Sequence, residues 1–137
     1  MPRYAIDAPT ALRLLRDDVA VPEGIRLVAP NLLRSDAMAL LYGEVRAGTL
    51  SEREGRALLE RLASQPVRLL GDRASRSVAW RIATELGWHD TARAEYVAVA
   101  QLQADAFVTA DPALAAAVAG IVALAPYEVL RDRRRSG

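Results

Sequence analysis

Apolar and polar positions alternate along this chain in two rhythms, and the changes between them mark its elements. The most informative stretch is residues 91–111, TARAEYVAVAQLQADAFVTAD. Its Ala- and Val-rich first half predicts a buried helix, a short turn follows, and DAFVT predicts a buried strand. That strand carries Asp111 to its carboxyl end. RYAID, residues 3–7, predicts a first strand that ends on Asp7 in the same way. Each acid is followed at once by a helical pattern.

The rest of the chain fills in around these two strands. In APTALRLLRDD the spacing turns Ala11, Leu12, Leu14 and Leu15 inward and Arg13, Arg16, Asp17 and Asp18 outward, as in a helix. VPEG is a turn, and IRLVAP, residues 25–30, alternates as a second strand that stops at Pro30. Asn31 is placed to cap a helix over about 32–47, closed by Gly48. Ser51 and Glu54 have capping-box spacing and open another helix to about Ala63. VRLL, residues 67–70, predicts a third strand. Asp72 caps a helix through Leu86 that Gly87 stops. Asp111-Pro112 opens a helix to about Val118, and IVALA, residues 121–125, predicts a fifth strand. Strands alternating with helices over short connections imply an α/β fold of three layers, α/β/α, with a mostly parallel central sheet of four or five strands. In such sheets ligands bind beyond the carboxyl ends of the strands, where Asp7 and Asp111 fall.

Composition narrows the picture. The 137 residues fit one domain, over 1–130, followed by a basic tail, 131–137. The chain is 52% hydrophobic but only 5% aromatic, so Ala, Leu and Val build the core. A net charge of +1 gives no global attraction to polyanions, which leaves local patches to do so. The absence of cysteine excludes disulfides, thiolate catalysis and Cys-ligated metals, and is compatible with a reducing, cytoplasmic setting. A single histidine, His89, argues against a multi-His zinc site and a Ser/His/Asp triad. No stretch has the ~20 apolar residues of a membrane span, and no signal peptide is evident.

Three acids are candidates for chemistry. Asp7 reads either as a helix cap or as a ligand, and Asp111 shares that ambiguity. Asp36 is bracketed by Leu32, Leu33, Ala37, Leu40 and Leu41, so it lies on or beside the inward stripe of its helix. A buried carboxylate needs a cation or several donors. Arg34 or Arg3 would serve as an ion-pair partner; a metal shared with Asp7 and Asp111 is the functional alternative. Three converging carboxylates suit a hard divalent ion, Mg²⁺ or Mn²⁺, and the hydrolysis of a phosphodiester.

The order of these motifs resembles the PIN domain, and within it the toxin ribonucleases of bacterial toxin–antitoxin pairs (the VapC type). YAIDAPTALRLL is similar to the family's opening strand, acid and helix, and APNLLRSDAMALLY to its second motif. AEYVAVAQLQADAFVTADPAL resembles its long C-terminal motif, including Thr109-x-Asp111. The likeness spans nearly the whole chain. It implies a metal-dependent endoribonuclease with Asp7, Asp36 and Asp111 as metal-binding, catalytic acids and Thr109 in support. It also implies an antitoxin partner, a homodimer, and a groove for the antitoxin's C-terminal segment in the helical hairpin over 32–64.

The family's third acid is missing. Arg93 stands where related sequences carry Asp, three residues before Tyr96. Asp90, one turn earlier, is a weak substitute if the helix reaches it. Glu95, roughly 200° round the helix from Arg93, is expected to point away. Arg93 would either weaken metal binding by repulsion, pairing with Asp36 or Asp111, or hold substrate phosphate. If it spoils the site, the alternative is a PIN-like module that binds RNA or antitoxin without cutting. Arg34, Arg73, Arg76 and Arg81 read as solvated helix faces or as contacts to an RNA backbone. Trp80 and Trp88 read as core or interface anchors rather than base-stacking platforms, and Tyr4 and Tyr96 as packing residues.

Overall fold

A computed structural model describes residues 1–131. The basic tail expected over 131–137 lies, apart from Arg131, outside the described residues. Four strands, β1 (Arg3–Ile6), β2 (Arg26–Pro30), β3 (Arg68–Leu70) and β4 (Ala106–Val108), form a sheet in the order β3-β2-β1-β4. Every pairing is parallel, with Tyr4 opposite both Leu27 and Ala106. The two inner strands are the most buried: Ala5 and Ile6 of β1 and Leu27 to Pro30 of β2 are all buried. Strands covered on both faces lose the in–out alternation and become continuously apolar.

Helices flank the sheet, giving the α/β/α arrangement expected. They are α1 (Ala8–Arg16), α2 (Leu33–Ala47), α3 (Glu52–Ala63), α4 (Arg73–Leu86), α5 (Ala92–Gln103) and α6 (Pro112–Val118). A 3₁₀ turn, Tyr127–Leu130, follows. Helix α5 packs on β1, β2 and β4 and supports α4; α1 packs on α2 and α3. One continuous core joins these elements, with Ile6, Leu14, Leu33, Val97, Phe107 and Leu130 fully enclosed. No described helix is long and apolar enough to cross a membrane.

Most caps are where the sequence placed them. Ser51 Oγ accepts the Glu54 N–H, Asp72 and Ser75 form a reciprocal box, and Gly48 and Gly87 end their helices at positive φ, 82° and 67°. Two expectations change. Asn31 does not cap α2: Leu32 holds that place without a side-chain bond. The Asn31 amide instead lies against Gly71, where a Cβ would come within 2.4 Å of it. The stretch 121–125 is not a fifth strand. It makes one parallel bridge, Phe107 to Leu124, because the Ile121 and Val122 N–H groups are spent on the Val118 carbonyl at the end of α6.

The 3₁₀ turn is clamped to α1 by Tyr127. Its hydroxyl donates to Asp17 Oδ2 at 2.9 Å, and the Arg13 guanidinium lies 3.8 Å over its ring. Burial, followed by the hydrogen bond and charge of Asp17, pushes its pKa from 10.0 up to about 12. The folded chain therefore keeps a proton that the unfolded chain releases. This stabilisation is intact below pH 10 and is lost as pH rises to about 12. The chain contains no lysine, so tyrosines dominate titration in that window. We expect Tyr127→Phe to cost about 1 kcal/mol near neutral pH. We also expect it to lose less stability than wild type across the alkaline window, measured by urea denaturation.

Candidate functional site

Asp7 leaves the carboxyl end of β1 in extended geometry and caps α1. It is 5% exposed, and its carboxylate is held on both sides. Oδ1 accepts the Thr10 N–H at 3.0 Å and the Thr10 hydroxyl at 2.5 Å. Oδ2 accepts the Thr109 hydroxyl at 2.5 Å. The cap and site readings of Asp7 are therefore not exclusive, since one oxygen caps the helix while the other faces the end of β4.

Thr109 extends the network. Its hydroxyl also accepts the Asp111 N–H at 3.2 Å, which ties Asp111 to Asp7 through one side chain. Asp111 itself is exposed; its Oδ1 caps α6 by accepting the N–H groups of Ala113 and Leu114 at 3.0 and 3.2 Å.

Asp36 lies in the first turn of α2 and is half-buried, as the stripe argument predicted. Its partner is neither Arg34 nor Arg3. Arg34 donates to the carbonyls of Leu62 and Gln65, and the Arg3 amide donates to Asp105. Instead the Tyr96 hydroxyl donates to Asp36 Oδ2 at 2.6 Å. Burial above all, then the hydrogen bond and charge of Asp36 and the charges of Asp7 and Glu95, push the Tyr96 phenol far up. It is fixed as a neutral donor among three acids.

Glu95 is half-buried rather than turned out to solvent, contrary to the expectation that it points away. Burial and then the Asp36 charge raise its pKa, with Arg76 opposing. Arg93 takes the outward place: its guanidinium stacks 4.5 Å over the Trp88 ring. Helix α5 is buried on most sides, with Ala94 and every residue from Tyr96 to Ala100 enclosed, so no apolar stripe in the sequence sets its phase. Asp90 is also displaced from its expected role. Helix α5 begins at Ala92, and Asp90 lies before it, exposed, accepting the Ala92 N–H.

Two supporting residues escaped the sequence reading. Thr10 had a signal in its spacing, three residues after Asp7, where an N-cap side chain reaches. Tyr96 had one too, as a hydroxyl-bearing aromatic in a run otherwise made of Ala and Val.

Among the described residues, no three His, Cys, Asp or Glu side chains form a group that could hold a metal ion. The three-carboxylate centre expected from Asp7, Asp36 and Asp111 is therefore not assembled in this structure. The network links Asp7 to Asp111 through Thr109 and gathers Asp36, Asp7 and Glu95 around Tyr96. Among the described residues, none of these acids makes an ion pair.

No protein-family model matches the chain, and no curated protein does. Its structure is similar to the crystal structure of PAE2754 from Pyrobaculum aerophilum, at 26% sequence identity and a TM-score of 0.73, over 99% of this chain and 97% of that one. The likeness extends across the whole fold, and a shared fold does not carry function with it.

Two substitutions probe the network, both in metal-free buffer. Tyr96→Phe strips Asp36 of its donor and is expected to cost about 1–3 kcal/mol in urea denaturation, the range for a hydrogen bond to a charged group. Glu95 binds its proton more tightly folded than unfolded, so its ionisation weakens the fold as pH rises above 4.5. Glu95→Gln should therefore gain on wild type as pH climbs from 4 to 7. An advantage that stays constant across that range would mean that neither burial nor Asp36 raises the Glu95 pKa.

Proposed function

We propose that this chain is a divalent-metal-dependent endoribonuclease of the PIN, VapC-like kind, hydrolysing RNA phosphodiester bonds and restrained by an antitoxin. The observation that carries the reading is Asp7. A carboxylate 5% exposed at the carboxyl end of a central parallel strand is satisfied only by hydroxyls and an N–H, with no cation paired to it among the described residues. Buried negative charge left without a counter-charge is costly, and a bound cation would offset it.

The residues present fit a hard ion. An ionised carboxylate has about four acceptor sites. Three are used on Asp7; Asp36 and Asp111 each have one oxygen outside the hydrogen bonds described. Mg²⁺ commonly binds through one or two carboxylates and completes its shell with water and substrate phosphate, so a three-acid cage is not required. When bound, Mg²⁺ or Mn²⁺ would supply charge stabilisation at phosphorus and an activated water. Asp7 and Asp36 would hold the ion, with Asp111 at the outer edge. Thr10 and Thr109 orient Asp7, and the Tyr96 hydroxyl orients Asp36. Asp90 has no part in this arrangement.

A small groove between α2 and α3 supports the reading of an antitoxin partner. It measures about 220 Å³ and is lined by Met38, Leu41, Tyr42, Val45 and Leu59, of which Met38, Tyr42 and Leu59 are exposed. Gly55 allows the close crossing there, since a Cβ would meet Val45 at 2.7 Å. An apolar helix face laid into such a groove is a common mode of recognition. A homodimer and a cytoplasmic site of action belong to the same proposal.

A second reading, a PIN-like module that binds RNA or antitoxin without cutting, is favoured by the absence of a three-acid group among the described residues. Cleavage of a mixed RNA pool with Mn²⁺ separates the two. We expect Mn²⁺ to raise the melting temperature and to support cleavage. Asp7→Asn should abolish both effects, and Thr109→Val should weaken metal affinity by roughly 10- to 100-fold, as loss of an outer partner does. Wild type that neither cuts nor gains stability with Mn²⁺, while still binding antitoxin, establishes the second reading.

A further inference from the structure

Of the two roles expected for Trp80, core or interface anchor, its exposure excludes the core. Trp80 sits on the outer face of α4 with 73% of its surface exposed, the same fraction as the terminal Met1. An indole left in water is costly, and the surroundings here are charged rather than apolar. Arg76 lies one turn before it and Arg73 one further turn back; both are exposed, and neither makes an ion pair among the described residues. Arg81, next to Trp80, pairs with Glu85 at 3.8 Å across an exposed surface. Helix α4 packs against α5, the helix that presents Tyr96 to Asp36. Arg73, Arg76 and Trp80 lie along one face of α4 at three- and four-residue spacing.

We propose that Trp80 is a stacking platform for one base of a single-stranded RNA, with Arg76 and Arg73 holding its phosphates on the way to the cleft. This rests on the ribonuclease reading and adds where the strand runs beyond the reacting bond. Charge decides the occupant. A second copy of this chain would set Arg73 and Arg76 against like charge, whereas a polyanion with planar bases complements both these arginines and the indole. Every cation of this chain is arginine, the side chain whose planar fork pairs with phosphate. An exposed aromatic accepts any base, so the platform contributes affinity and position rather than sequence choice.

The test is binding of a fluorescently labelled, unstructured RNA oligonucleotide to the full chain in EDTA, where no metal-dependent cleavage occurs. Trp80→Ala should weaken binding roughly tenfold or more, and Trp80→Phe should retain most of it. Arg76→Ala should weaken binding and lower the slope of log affinity against log salt by about 1. Light scattering should show the same oligomeric state for wild type and Trp80→Ala. Unchanged affinity in Trp80→Ala, absence of wild-type binding, or a smaller assembly in Trp80→Ala overturns the platform. RNA binding through Trp80 without any Mn²⁺-dependent cleavage overturns the hydrolase reading alone. Cleavage by Trp80→Ala with wild-type KM and kcat overturns the platform alone.

Discussion

The structure turns on how one carboxylate is buried. Asp7 sits at the end of β1, beside β4 and at the start of α1, where water is nearly excluded. An ionised group there is tolerable only if its oxygens are met by donors. Thr10 supplies two from α1, and Thr109 supplies one from the end of β4. The same three bonds therefore start a helix, fix the neighbouring strand's exit and aim a negative charge beyond the sheet. Fold and site share their hydrogen bonds at this point.

A second constraint reaches the same place from the other helices. Helix α5 lies across β1, β2 and β4 and presents Tyr96 to Asp36 of α2. That one hydroxyl joins elements sixty residues apart in the chain. The charges of Asp7 and Glu95 also act on that hydroxyl. The network is rich in carboxylates, and none of them is ion-paired among the described residues, so its electrostatics favour an incoming positive ion. Arg76 of the neighbouring helix opposes the rise that burial and Asp36 impose on the Glu95 pKa.

Arg93 shows how a substitution is absorbed by its surroundings. On sequence spacing alone it falls where a carboxylate is expected, and its charge would oppose a cation. In the folded chain the guanidinium rests on Trp88, and Glu95 supplies negative charge near Asp36 instead. A long, flexible side chain at the start of a helix turns aside to a face where its charge is solvated and its flat group can stack. The consequence of an altered motif position thus depends on which neighbour the new side chain meets.

By itself, the sequence determined the alternation of strand and helix, the parallel sheet and most of the caps. These follow from local rules: period two or near four, turn residues, and side chains that reach their own backbone. It also placed Asp7 and Asp111 at strand ends and Asp36 on an inward stripe, because strand and helix periodicity assign faces without a partner being known. Only the tertiary structure decided that Asp36 meets Tyr96 rather than an arginine, and that Glu95 rather than Asp90 stands near it. It likewise left Trp80 in solvent and reduced 121–125 to a single bridge. Each of these depends on which surface another element presents, and for a helix enclosed on most sides, such as α5, no apolar stripe reveals its rotation until its neighbours are in place.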